Sequence, residues 1–174
     1  ISVPLFFLLG AFIAGLLIDR PIHQNRPPHF DWVMGLCAFC LALAATGEFL
    51  DFGQFGSTFK IGQGYFLLAL LCMASGLQNA AITSSSGSSV RTTHMTGLTT
   101  DLGLGIARLL TFDFNQQRYR TEMRANKLRA GSIFSFVMGS AIGAYVFVKF
   151  GYVGFSLSAL IAAYAAWHGA KSKN

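Results

Sequence analysis

A chain of 174 residues that is 53% hydrophobic and 11% charged, with a mean hydropathy of +0.51, lies outside the range of water-soluble domains, in which about a quarter of residues are charged. Composition therefore excludes a soluble globular enzyme and points to an integral membrane protein. The net charge of +6 is mostly local, gathered in one connection and at the tail, so nucleic-acid binding is not needed to explain it.

Six apolar segments follow one another, at 3–18, 32–50, 61–82, 97–112, 133–148 and 152–167. They are rich in Leu, Ala, Phe and Gly and lack the alternating pattern of a membrane barrel, which predicts an all-α, polytopic transmembrane helix bundle of about six segments. A bilayer core of about 30 Å takes roughly 20 helical residues. Segment 61–82 is long enough, whereas 3–18 and 97–112 are short. The short fourth segment predicts a broken or re-entrant stretch at 83–112, held level with six ordinary crossings.

The first connection, 19–31, carries Arg20, His23, Arg26 and His29 among prolines. With no third ligand beside its two histidines, no metal site is expected there. The second segment holds Cys37 and Cys40 as a CAFC pair. A redox role is the sharper reading and helix packing the favoured one, because buried cysteine usually behaves as a small hydrophobe. No catalytic constellation and no cofactor are expected.

The third segment runs apolar from Tyr65 to Ala74 and then turns polar. Ser75, Gln78 and Asn79 are spaced i, i+3 and i+4, which puts them on one helix face. A serine-rich bend follows, then RTTHMTG, where Arg91, Thr93, His94 and Thr96 precede a helix with Thr96 as its expected N-cap. Asp101 comes about one turn into that helix. Polar groups in hydrocarbon cost several kcal/mol each unless partnered or hydrated. Gln78, Asn79, Arg91, Thr93, His94, Thr96 and Asp101 are therefore the candidate substrate-binding residues, suited to a small polar or anionic solute. The competing reading pairs Arg91 with Asp101 as a structural ion pair.

Arg118, Arg120, Arg124, Lys127 and Arg129 crowd the connection 113–129. The positive-inside tendency puts that loop and the C-terminus on the cytoplasmic side, with anionic lipid as a secondary contact. The fifth segment resembles the first, Gly139, Gly143 and Ala144 corresponding to Gly10, Ala14 and Gly15. Small residues about four apart also serve close helix packing, so packing alone is the competing explanation. If segment four does not cross, Arg20 and Arg26 fall inside, and segments one and five run in opposite senses.

GLQNA at 76–80, the Gly/Ser-rich bend, and VRTTHMTGLTTDLG at 90–103 together resemble the hallmark of the YoaK-like membrane proteins, the DUF1275 family. The resemblance covers 1–167. It implies a multi-spanning protein of a bacterial inner membrane, of poorly defined activity and often regarded as a transporter. Carried over residue by residue, it marks Gln78, Asn79, Thr93, Met95, Thr96 and Gly97. It also implies an earlier helix pair with a second polar signature, which does not occur here. The expected organisation is one transmembrane domain, 1–174, lacking that pair, with repeat-related segments in 1–60 and 130–170. The runner-up function is a non-catalytic subunit of a larger membrane complex or a homo-oligomer.

Overall fold

A computed structural model describes residues 2–47, 61–85, 95–111, 113–114 and 116–171, and every regular element among them is helical. In chain order these are α1 (Ser2–Leu17), α2 (Asp19–His23), α3 (Phe30–Ala45), α4 (Ile61–Ser85), α5 (Met95–Thr111), α6 (Gln117–Phe150), a 3-10 turn (Gly151–Gly154) and α7 (Phe155–Lys171). The all-α expectation holds. Pro4–His23, Gly64–Ser85 and Gln117–Lys171 are long and apolar enough to be candidate membrane spans, and Phe30–Ala45 is a shorter apolar helix.

Three boundaries differ from the sequence reading. The basic stretch expected as the loop 113–129 is helical from Gln117 onward. It contains no Gly or Pro before Gly131 and is rich in Arg, Met, Ala, Leu and Lys, which favour helix. As a result α6 is 34 residues long, about 51 Å at roughly 1.5 Å per residue. The third segment continues as helix through Thr83 and Ser84 to Ser85, whose hydroxyl donates to the carbonyl of Ile82 at 3.0 Å. Thr96 is not an N-cap, because α5 already includes Met95; its carbonyl accepts the Thr100 hydroxyl at 2.9 Å.

The chain forms two compact units, one from 1–81 with 142–174 and the other from 82–141. In the first, Ala14, Ile18, Val33, Cys37, Leu70 and Leu77 are core residues. Between helices in lipid, association rests on close packing rather than hydrophobicity, and α1 and α4 pack backbone to backbone. A Cβ on Gly10 would overlap the carbonyl oxygen of Met73, and one on Gly76 would overlap that of Phe7. Only glycine at both positions permits the crossing.

Helices α3 and α4 run antiparallel: the Cys37 thiol donates to the Ala74 carbonyl at 3.6 Å, while Ala44 and Leu67 share a cluster with Tyr152. That cluster gathers the C-terminus of α3, the start of α4 and the α6–α7 junction at one end of the unit. Gly151 makes the junction, leaving α6 with φ +58, a conformation glycine adopts without penalty. At the opposite end, Gly169 of α7 lies against the backbone of Asp31 at the start of α3. The connection after α1 and the C-terminal end of α7 therefore share an end.

The two segments that resemble each other in sequence are used differently. Gly10 and Ala14 are buried, whereas Gly139 and Gly143 are exposed, with nothing within 4 Å of an added Cβ.

Candidate functional site

On α4 the sequence-derived polar face is real. Gly76 and Leu77 are buried against α1, while Ser75 and Gln78 are exposed and Asn79 is half-buried. Helical periodicity puts 75, 78 and 79 within one arc and 70, 74, 77 and 81 in another, matching the buried positions Leu70, Ala74, Leu77 and Ala81. Asn79 is engaged in an interaction. Gln78 makes no hydrogen bond to a described residue, although it lies within the candidate span Gly64–Ser85, roughly 10 Å from its Ser85 end.

The other candidates do not join Gln78 and Asn79 in one described site. Arg91, Thr93 and His94 lie outside the described residues, and so does any pairing of Arg91 with Asp101. Thr96 and Asp101 belong to the second unit, where both are exposed on α5. Asp101 forms no ion pair among the described residues.

What the second unit does contain is a polar network that sequence reasoning missed. One guanidinium nitrogen of Arg129 (Nη1) donates to Glu122 Oε1 at 2.8 Å and to Asn126 Oδ1 at 2.7 Å. Arg108 of α5 approaches the other Glu122 oxygen at 3.7 Å. The side chains of Arg129 and Glu122 are 13% and 17% exposed, so their charge-assisted bond is far better shielded than a surface pair. The Asn126 amide rests directly on Gly105, so a larger residue there would have to displace that side chain. Contacts Gly105–Asn126 and Arg108–Glu122 advance along α5 and retreat along α6, so the two helices are antiparallel. Asn126 Nδ2 and Arg129 Nε are buried with no hydrogen-bond partner, which carries a desolvation cost.

A helical signal for this network was present, since Glu122, Asn126 and Arg129 are spaced i, i+4 and i+7. Reading the stretch as a loop from its charge hides that spacing. Gly105, which carries no signal of its own in the sequence, is the seat of Asn126.

The cysteine pair has a structural place: Cys37 and Cys40 are both buried in the core of the first unit. Among the described residues, no group of three His, Cys, Asp or Glu is arranged to hold a metal ion.

A family model described as "Protein of unknown function (DUF1275)" matches residues 1–167. No curated protein and no solved structure matches the chain.

Proposed function

Because the chain belongs to the DUF1275 family, whose description assigns no activity, we propose from its own geometry that it is a multi-pass membrane protein carrying a small polar or anionic solute past the Gln78 face of α4. The observation that carries this reading is Gln78 itself: an exposed amide inside a candidate span, beside the packed face, that makes no hydrogen bond to a described residue. An amide facing hydrocarbon costs several kcal/mol, so this face lines water or a polar cavity.

A fourth segment that enters and returns is part of this reading, because it puts Arg20 and Arg26 on the cytoplasmic side. Helix α4 leaves the end marked by Ala44, Leu67 and Tyr152, and α6 arrives there. The opposite end of the first unit carries Arg20, Arg26 and Lys171, a basic set that the positive-inside tendency assigns to the cytoplasm. The setting is a bacterial inner membrane, as the resemblance of the GLQNA and VRTTHMTG elements implies, and a broken segment is where transporters of inverted topology hold their substrates.

Uptake into proteoliposomes, measured over a panel of small anions and neutral metabolites, tests the reading. Wild-type protein is expected to accumulate at least one solute above empty vesicles, with Gln78→Leu cutting the rate tenfold or more and Asp101→Asn reducing it less. Uptake equal to empty vesicles across the panel, or unchanged by Gln78→Leu, removes it. The second reading, an assembly subunit, is favoured by the open face at Gly139 and Gly143. It requires larger complexes in native mass spectra after gentle extraction.

A further inference from the structure

The connection between α1 and α3 is a built recess rather than a slack loop. Leu17 accepts a backbone hydrogen bond from His29 at 2.9 Å, stitching the far end of the connection to the end of α1. Within it, the N–H groups of Gln24 and Arg26 both donate to the Pro21 carbonyl, at 3.0 and 2.8 Å, and that of Asn25 donates to Ile22 at 3.0 Å. Asn25 takes a left-handed conformation, φ 54, which asparagine tolerates better than most residues. Pro21 and Pro27 fix two further backbone angles.

These turns border an open recess of about 430 Å³, lined by Arg20, Gln24, Arg26 and His29 with Leu16, Pro21 and Pro27 as walls. No carboxylate lines it. Arg20 and Arg26 form no ion pair with any described residue. The recess also sits at the end of the candidate span Pro4–His23, the level at which a helix leaves hydrocarbon for the headgroup layer.

We propose that this recess is a phosphate-binding site in which Arg20 and Arg26 hold the anion and Gln24 donates an additional hydrogen bond. A guanidinium presents a planar fork of donors that matches two oxygens of a phosphate. Two forks beside one cavity suit a group with three or four oxygens better than a carboxylate with two. Turns fixed by proline and backbone hydrogen bonds keep the ordering cost of binding low. The phosphate can belong to an anionic phospholipid or to a free phosphorylated solute. The inference does not depend on transport past Gln78.

Titration of the full chain in an uncharged detergent, with occupancy read by native mass spectrometry, separates these sources. One arm uses inorganic phosphate. Another uses phosphatidylglycerol in mixed micelles, against phosphatidylcholine. Saturable binding in either arm is expected at about 0.15 M salt; phosphate in the first identifies a free ligand, and preference for phosphatidylglycerol alone identifies a headgroup. Arg20→Gln with Arg26→Gln is expected to weaken binding on the order of a hundredfold, about tenfold per charge-assisted contact. Arg120→Gln with Arg124→Gln removes the same charge from exposed positions of α6 and is expected to leave binding within twofold. The proposal is overturned if neither arm saturates, if the Arg20 and Arg26 variant binds like wild type, or if both variants lose affinity equally. Circular dichroism on both variants confirms that the helices are retained.

Discussion

Gly76→Leu is expected to abolish the packed first unit, lowering stability by about 3 kcal/mol or more. Overpacking a core usually costs about 1–3 kcal/mol because neighbouring side chains shift rotamer. Here the obstacle is the Phe7 carbonyl oxygen and the backbone of α1, which have no rotamer to change. The helices must separate, exposing Ala14, Ile18 and Leu77, now buried between them. Gly76→Ala is expected to act in the same direction with a smaller effect.

A sharper form of the test pairs Gly76→Ala with Gly10→Ala. Each forces the same two backbones apart, so the second substitution meets a crossing already opened, and the double variant should lose clearly less than the sum. Gly139→Ala, at the position that sequence comparison matches to Gly10, has open space around it and is expected to stay within about 0.5 kcal/mol. Thermal unfolding in detergent, followed by the fluorescence of Trp32 and Trp167, measures all five variants. Equal effects at Gly139 and Gly10 would refute the asymmetry between the two segments.

Glu122→Gln carries the second large effect, expected at about 3 kcal/mol. It removes the anion from Arg129, whose side chain is only 13% exposed, leaving a shielded guanidinium with a neutral amide in place of a carboxylate. Breaking one side of a buried ion pair typically costs about 3–5 kcal/mol, whereas replacing the whole cluster by apolar residues of similar volume is often neutral or stabilising. The triple variant Glu122→Leu, Asn126→Leu, Arg129→Met should therefore recover most of the loss, helped by removal of the buried, unbonded Asn126 Nδ2. Hydrogen exchange locates the effect. Faster exchange in α5 and the first half of α6, with α3 and α7 unchanged, is the expected pattern, and loss of protection throughout the chain would contradict it.

Sequence patterning carried a good deal of this fold. Apolar runs far longer than any soluble strand identified helices, and the i, i+3, i+4 spacing of Ser75, Gln78 and Asn79 located the polar face of α4 correctly. The opposite face was less visible. Gly76 looks in sequence like part of a polar motif, but its packing role depends on Phe7, remote in the chain, and no local pattern reports that. The resemblance of the first and fifth segments was equally local, and it did not reveal that one glycine set is packed and the other open.

The candidate site was legible only in part. Gln78 stands out because an amide within an apolar helix is anomalous wherever it occurs. The Glu122–Arg129 network is hidden in sequence because charge density argues for a loop there, against helix propensity and the absence of Gly and Pro. Charge and helix are compatible here because the acid and the arginine satisfy each other along the same face.

The discontinuous make-up of the first unit bears on how the protein is made. Helix α3 is synthesised well before α7, whose Gly169 closes against Asp31. At about 5–20 residues per second, α3 waits on the order of ten seconds for its partner while the whole 82–141 unit emerges between them. During that interval the face of α3 destined for α7 is open to lipid, to the insertion machinery or to neighbouring chains. The ribosome's pace over 82–141 thus sets how long the first unit stands unfinished.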